Sequence, residues 1–599
     1  MTQGNPVAEE HIRAEVLADF TLRPRVFMLA GLALILGVIS AFLAYVLLKL
    51  IALFTNIFFF GDLSFKSTRP ADADLGLFLI VIPIIGAAIV GFMARYGSEK
   101  IRGHGIPEAL EAILINGSRV EPKVAVLKPL SAAISIGSGG PFGAEGPIIM
   151  TGGSVGSLVA QFFHLSSAER KTLLVAGAAG GMSATFASPV AAVLLAVELL
   201  LFEWKPRSLI PVAVASVTAL VVRRAIIGNG PLFPMEDTAD LTLLGMLACL
   251  VVGLSAGALS SLVTSMVYAS EDAFHRLPIH WMWWPPIGGL VIGIGGMFFP
   301  RALGVGYDTI GEMLNAELAV KTLFGVLIVK SIIWSVSLGS GTSGGVLAPL
   351  LMMGAAMGGL EAHILPDSSP GYYALIGMTA VLGGTIRAPL TASVFAVELT
   401  HDLDMLVPLF VGSVVSYGFT VLVMKRSILT EKVSRRGLHL SMEYSVDPLE
   451  LFFVSDVMRP QFVALSPSPS PEDVETALLA SQEIFPVLES TGVVAGIVTR
   501  AGLIELQKDG FEGPEMVIAQ PAAFASPRQT LRSLVRQMAV SRRTRLLVSD
   551  GEGGLAGIIE LADVLQAYEK TVGAEESRAR SLYLPWMRDT ESLATPPVG

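Results

Sequence analysis

In an otherwise oily part of the chain, "GSGGPFGAEGPIIM" (Gly137 to Met150) sets one carboxylate, Glu145, among glycines, prolines and apolar residues. The glycines and prolines interrupt an apolar segment, ending one helix and starting another, and "GSGTSGGVLAP" (Gly339 to Pro349) does the same later in the chain. Pro147 and Pro349 suit a first helical turn, where a missing N–H costs little. Amides exposed at such a start carry roughly half a positive charge and bind an anion without any cationic side chain. A carboxylate beside them is itself an anion and competes for the same place. A third glycine loop, "GHGIPEAL" (Gly103 to Leu110), reads by itself as an ordinary helix entry with Pro107 near the first turn.

Other chemistry lacks its residues. There is no HExxH, no GxSxG and no Cys/His cluster in the apolar part, so a hydrolase using Glu145 and His104 as acid and base has neither nucleophile nor metal. A divalent-cation transporter needs several intramembrane carboxylates facing one another, and Glu145, Glu198 and Glu398 are too few and too scattered. We therefore expect no enzyme, no metal and no cofactor.

The elements that must position these loops are membrane helices. Of 599 residues 52% are hydrophobic and 15% charged, and apolar runs reach membrane length several times between Phe27 and Met424. The first run has no small-residue cleavage site after it and reads as a retained helix. Arg13, Arg23 and Arg25 precede it, while Lys425, Arg426, Lys432, Arg435 and Arg436 follow the last run. The positive-inside rule then places both ends in the cytoplasm, with an even number of crossings. A net charge of -10 gives no hint of a nucleic-acid surface. The single cysteine, Cys249, sits in an apolar run and reads as a buried small side chain.

The chain also repeats itself. "LKPLSAAISIGSGGPFGAEGPIIMTGGSVG" from Leu127 lies without a gap over "VKSIIWSVSLGSGTSGGVLAPLLMMGAAMG" from Val329, matching Lys128 to Lys330, Pro147 to Pro349 and Met150 to Met352. After a two-residue shift, "TFASPVAAVLLAVEL" from Thr185 lies over "TIRAPLTASVFAVEL" from Thr385, so Glu198 meets Glu398. Duplicated halves commonly hold a substrate near the bilayer midplane, between broken helices whose amino-terminal ends face it.

Together these segments resemble the CLC family of chloride channels and proton-coupled chloride antiporters. "GHGIP" (Gly103, His104, Gly105, Ile106, Pro107), "GAEGP" (Gly143, Ala144, Glu145, Gly146, Pro147) and "GVLAP" (Gly345, Val346, Leu347, Ala348, Pro349) stand in the order and spacing of the family's anion-site signatures. The resemblance implies a polytopic α-helical fold of two inverted-topology repeats with tilted and broken helices. It also implies a homodimer with an anion pathway in each subunit, and makes Glu145 the gate and proton acceptor, displaced by chloride or released on protonation. Four departures follow. Ala144 replaces a basic residue; His104 stands where a serine commonly contacts the anion, and its imidazole either donates to chloride or turns into a loop hydrogen bond. The tyrosine that closes the inner side of the site would fall near Leu429, where there is no hydroxyl. The internal glutamate of proton-coupled members would fall at Leu199, one residue after Glu198, which with its mate Glu398 reads as structural. Passive or loosely proton-coupled chloride conduction is the favoured expectation, with strict chloride/proton antiport or another small anion as the alternative.

Beyond about Gly437 short apolar segments alternate with charged and proline-rich turns, as in a soluble α/β domain. "FPVLESTGVVAGIVTRAGLIEL" from Phe485 lines up with "LLVSDGEGGLAGIIELADVLQAY" from Leu546, each strand, turn, strand, helix. This resembles tandem CBS domains, which often sense adenine nucleotides through a threonine or serine after the second strand and an aspartate three residues on. The first unit has Thr499 but Gly502, and the second Asp563 but Glu560. A dimerising role is favoured over nucleotide binding. The expected organisation is a cytoplasmic segment 1–25, a transmembrane domain 26–430 with repeats over roughly 100–225 and 305–425, a linker 431–452, CBS units 453–510 and 511–572, and a disordered tail 573–599. A multi-pass protein of a bacterial plasma membrane is expected, with lipid, chloride and protons as its partners.

Overall fold

Small residues decide how closely the apolar helices of this chain approach. A Cβ on Gly86 would lie 1.9 Å from the Ser138 hydroxyl, and a Cβ on Gly288 would lie 2.7 Å from the Ser340 hydroxyl. Such contacts let helix backbones meet where no hydrophobic force separates protein from lipid. The computed structural model describes residues 24–114, 116–235, 242–366, 370–435, 437, 448–508, 522–550 and 554–576. It divides into two compact units, one within Ala18–Met442 and one formed mainly by Glu443–Gly599.

The larger unit runs twice through one succession of helices. The first half is α1 (Arg25–Thr55), α2 (Phe78–Tyr96), α3 (Ile106–Leu114), α4 (Pro122–Gly137), α5 (Glu145–Gln161), α6 (Ser167–Phe186), α7 (Pro189–Leu195) and α8 (Pro206–Ile226). The second is α9 (Leu243–His275), α10 (Trp284–Phe298), α11 (Tyr307–Leu314), α12 (Val320–Gly339), α13 (Leu347–Glu361), α14 (Pro370–Ile386), α15 (Pro389–Thr400) and α16 (Leu406–Val423). The duplication therefore reaches back beyond the predicted starts near 100 and 305, to helices whose sequences have diverged. Gly86 and Ser138 touch as Gly288 and Ser340 do, each pair at the same separation in its own half.

Among the described residues six helices are long and apolar enough to span a membrane, and several other apolar helices are shorter. The breaks are made by backbone reversals at matching places. Ala187 (φ 58°) and Arg387 (φ 59°) end α6 and α14, and Phe202 (φ 52°) and His401 (φ 63°) close the helices that follow. A further helix, α17 (Ile428–Arg435), packs Leu429 and Val433 into the core of this unit, so the first part of the predicted linker is helical. Residues 436 and 438–447 of that linker lie outside the described residues, as do 1–23 and 577–599 of the predicted terminal segments. Cys249 is buried, its thiol donating to the Gly245 carbonyl at 3.1 Å.

The smaller unit holds two similar α/β layers. In the first, β1 (Ile484–Leu488) pairs antiparallel with β2 (Val494–Thr499), Ile484 opposite Thr499. In the second, β3 (Phe524–Ala525) runs parallel to β4 (Arg545–Ser549), which pairs antiparallel with β5 (Leu555–Glu560). Leu465 bridges Val487 in parallel, which repeats the β3–β4 contact in the first layer. Ile484, Ile497, Leu547 and Ile558 form one apolar cluster shared by both layers. The strands are buried in continuous runs rather than in alternation, because the sister layer covers the face that would otherwise meet water.

Candidate functional site

The three glycine loops knit into one cluster. The Gly143 N–H donates to the Gly345 carbonyl at 3.1 Å and the Gly345 N–H returns a bond to Gly143 at 2.9 Å. The Gly103 N–H donates to Thr342 at 2.9 Å, and the Gly344 N–H to Gly103 at 3.4 Å. A Cβ on Gly146 would lie 1.8 Å from the His104 carbonyl oxygen, and a Cβ on Gly105, which adopts φ +95°, would lie 2.3 Å from the Gly146 carbonyl oxygen. Only glycine allows these backbones to meet. The starts of α3, α5 and α13, at Ile106, Glu145 and Leu347, are thereby gathered in one place.

Glu145 is wholly buried there. Its Oε1 accepts the Tyr307 hydroxyl at 3.2 Å, and its own N–H and that of Ala348 face the carboxylate. Its Oε2 folds over the two facing glycines, so an added Cβ would lie 1.7 Å from it at Gly143 and 2.9 Å at Gly345. Lysine does not neutralise the acid by contact. Lys128 donates to the carbonyls of Ile101 (2.8 Å) and Gly103 (2.7 Å), and Lys330 to those of Ala302 (2.9 Å) and Gly304 (2.8 Å). These bonds identify a fourth glycine loop, Gly304–Val305–Gly306, as the mate of Gly103–His104–Gly105. All four of its glycines and theirs have positive φ. The sequence signal was the run "GVGY" one register from "GHGI", too short to notice by itself.

Two cavities reach the cluster. One, of about 1080 Å³, is lined by Ala144, Phe233, Gly306 and Tyr307. The other, of about 730 Å³, is lined by His104, Glu108, Met150, Tyr268 and Lys432. Residues of the loop cluster thus line both, Ala144, Gly304 and Gly306 the larger cavity and His104 the smaller. His104 is buried in the wall of the smaller cavity. Glu108 accepts the Gly105 N–H at 2.7 Å and pairs with Lys432 at 2.9 Å, which ties α17 to the loop. Leu429 brings no hydroxyl, but Tyr268 on α9 donates one to the adjacent Ile428 carbonyl at 2.5 Å. That tyrosine could not be found by aligning motifs, because it comes from a different helix.

Leu199 is buried. Glu198 instead accepts the Thr391 N–H at 2.9 Å and the Thr391 hydroxyl at 2.5 Å, and Glu398 accepts the Val190 and Ala191 N–H groups at 2.9 and 2.8 Å. Each glutamate caps the helix start of the other half. In the smaller unit Asp563 accepts two bonds from Arg459, at 2.8 and 2.6 Å, and one from the Glu560 N–H at 2.9 Å. Thr499 accepts the Gly502 N–H at 3.2 Å. Both candidate nucleotide-binding side chains are thus engaged by their own chain.

Residues 85–421 match the family described as voltage gated chloride channel, and residues 454–509 and 516–570 match the CBS domain. The chain is 31% identical over 343 residues to an H(+)/Cl(-) exchange transporter ClcA of Salmonella paratyphi A, covering 54% of this chain and 72% of that protein. It is 29% identical over 348 residues to a putative chloride channel protein ClcB-like of Ralstonia nicotianae, covering 56% and 81%. Among solved structures, a slow cyanobacterial Cl-/H+ antiporter superposes with a TM-score of 0.60 at 23% identity, over 69% of this chain and 98% of that one. A eukaryotic CLC transporter superposes with a TM-score of 0.57 at 19% identity, over 90% and 98%.

Proposed function

The chain belongs to the voltage gated chloride channel family, and from that membership we propose that it moves chloride through the loop cluster, with Glu145 as the gate. The observation that carries this reading is the seat of Glu145. A buried carboxylate rests among the amides of Glu145 and Ala348, where helix starts favour negative charge, in a loop cluster whose residues line two cavities. Chloride or a proton relieves it: the one takes its place, the other removes its charge. The anion-contacting groups are then the backbones of Gly103–Pro107, Gly143–Pro147 and Gly345–Ala348, with His104 offering an imidazole from the smaller cavity.

The smaller cavity carries five Lys/Arg residues, Lys100, Arg102, Arg119, Lys432 and Arg435, beside Glu99, Glu108, Glu111 and Glu271, against Lys49, Arg69 and Arg301 at the larger one. The larger number of Lys/Arg residues on that side supports a cytoplasmic placement of this cavity and of both chain ends, in a bacterial plasma membrane. A homodimer with one pathway per subunit, and CBS units that dimerise without nucleotide, complete the proposal. Passive or loosely coupled conduction draws support from Leu199, an apolar residue where an internal proton acceptor would stand. Strict chloride/proton exchange is the second reading, and the exchangers among the relatives favour it.

Chloride efflux from liposomes, with external pH recorded, decides between them. Efflux without proton movement is the passive outcome, and proton uptake driven by a chloride gradient is exchange. Glu145→Gln should leave efflux ungated and insensitive to pH; unchanged flux and pH response would reject the gate.

A further inference from the structure

Tyr307 stands at the start of α11, in the mate of the "GHGI" loop, where the first half has Ile106. The two loops share their glycines and their lysine anchors, yet only one ends on a hydroxyl. That hydroxyl donates to Glu145 Oε1 at 3.2 Å across 162 residues of sequence. The ring is held on two sides, edge-on to Phe186 at 6.1 Å and tilted against Phe233 at 6.1 Å, while Phe186 packs on Phe395 at 5.4 Å. Such aromatic contacts leave a phenol little freedom to turn. The loop beneath it is fixed by the two Lys330 bonds to Ala302 and Gly304. A rigid donor from the second half therefore meets a movable carboxylate from the first.

We propose that Tyr307 is a positioning residue for the gate: its hydroxyl holds the Glu145 carboxylate in the anion's seat and sets how readily chloride or a proton releases it. The proposal rests on the reading of Glu145 as the gate. A neutral donor bonded to a carboxylate favours the ionised, seated form over the neutral one. The other groups acting on that carboxylate are the Lys330 ammonium on α12 and the amides of Glu145 and Ala348. Lys49, Arg69, Asp72, Arg301 and Asp308 line the same cavity, and none of them hydrogen-bonds Glu145 among the described residues. Ile106 carries no such group, so the restraint acts from the larger cavity alone.

The test is Tyr307→Phe in liposomes, with chloride flux followed from acid to alkaline pH. The variant keeps the ring and its packing and removes only the donor. Seated carboxylate becomes easier to neutralise, so flux at neutral pH should rise about tenfold and the midpoint of acid activation should move up by roughly one pH unit. A ring-fluorinated tyrosine at 307, a stronger donor, should move the midpoint the other way, and this second measurement covers the case in which the phenylalanine variant is poorly folded. In a Glu145→Gln background, Tyr307→Phe should add nothing. A wild-type midpoint in both position-307 variants, with Glu145→Gln still ungated, would overturn the role of Tyr307 alone. A Glu145→Gln variant that keeps wild-type flux and pH response would instead overturn the gate beneath it.

Discussion

Gly143→Ala should open the gate while leaving the Glu145 side chain itself intact. An alanine Cβ at 143 would lie 1.7 Å from Glu145 Oε2 and 2.5 Å from Cδ, whereas ordinary contact needs about 3.4 Å or more. The side chain must withdraw by roughly 2 Å, and it is able to, because the obstructing atoms are the far end of a flexible residue. Gly143 is not among the positive-φ glycines, so the backbone accepts alanine. Withdrawal breaks the Tyr307 bond, a contact to a charged group worth about 1.5–3 kcal/mol in general, or about ten- to a hundredfold in the ratio of seated to released carboxylate. The assay is chloride efflux from liposomes at alkaline pH, where the wild type should be slowest. Gly146→Ala is the control in the opposite direction. Its Cβ would meet the His104 carbonyl at 1.8 Å, a backbone atom that cannot withdraw, so protein yield and flux should both collapse. A Gly143→Ala protein that is folded, yet keeps wild-type flux and acid activation, would refute the account of the seat.

Lys128→Met and Lys330→Met should each destabilise the membrane unit by about 2–4 kcal/mol, since each removes two hydrogen bonds from buried loop carbonyls, and melting in detergent measures the loss. Glu398→Ala should cost about 1–2 kcal/mol by removing the cap on Val190 and Ala191, while the midpoint of acid activation stays where it was; a moved midpoint would give this glutamate a part in proton handling. Adenine nucleotide should leave the melting of the CBS unit unchanged, because Arg459 already occupies Asp563; a rise in melting temperature with added nucleotide would count against this.

Much of this molecule was open to reading from residue order, for a local reason. Glycine and proline impose backbone geometry on their own neighbours, so "GHGIP", "GAEGP" and "GVLAP" announce helix breaks wherever they occur. The lysines, prolines and glutamates kept in register between the two halves announce the duplication. Neither signal extends to α1, α2, α9 and α10, whose mating survives in helix order and in the Gly86–Ser138 and Gly288–Ser340 contacts after the sequence similarity has gone.

What residue order determined by itself was therefore the kind of protein: a duplicated membrane chain with one acid among broken helix starts, followed by two α/β units. Partnership was decided by tertiary structure alone. Glu198 and Glu398 look like two copies of one local feature, yet each caps the other half. Lys128 could have met Glu145 and instead holds a loop, while a tyrosine far along the chain takes the acid. A side chain's contacts across such separations depend on how the halves interlock, and interlocking is set by the summed packing of many small residues, which no single stretch of sequence encodes.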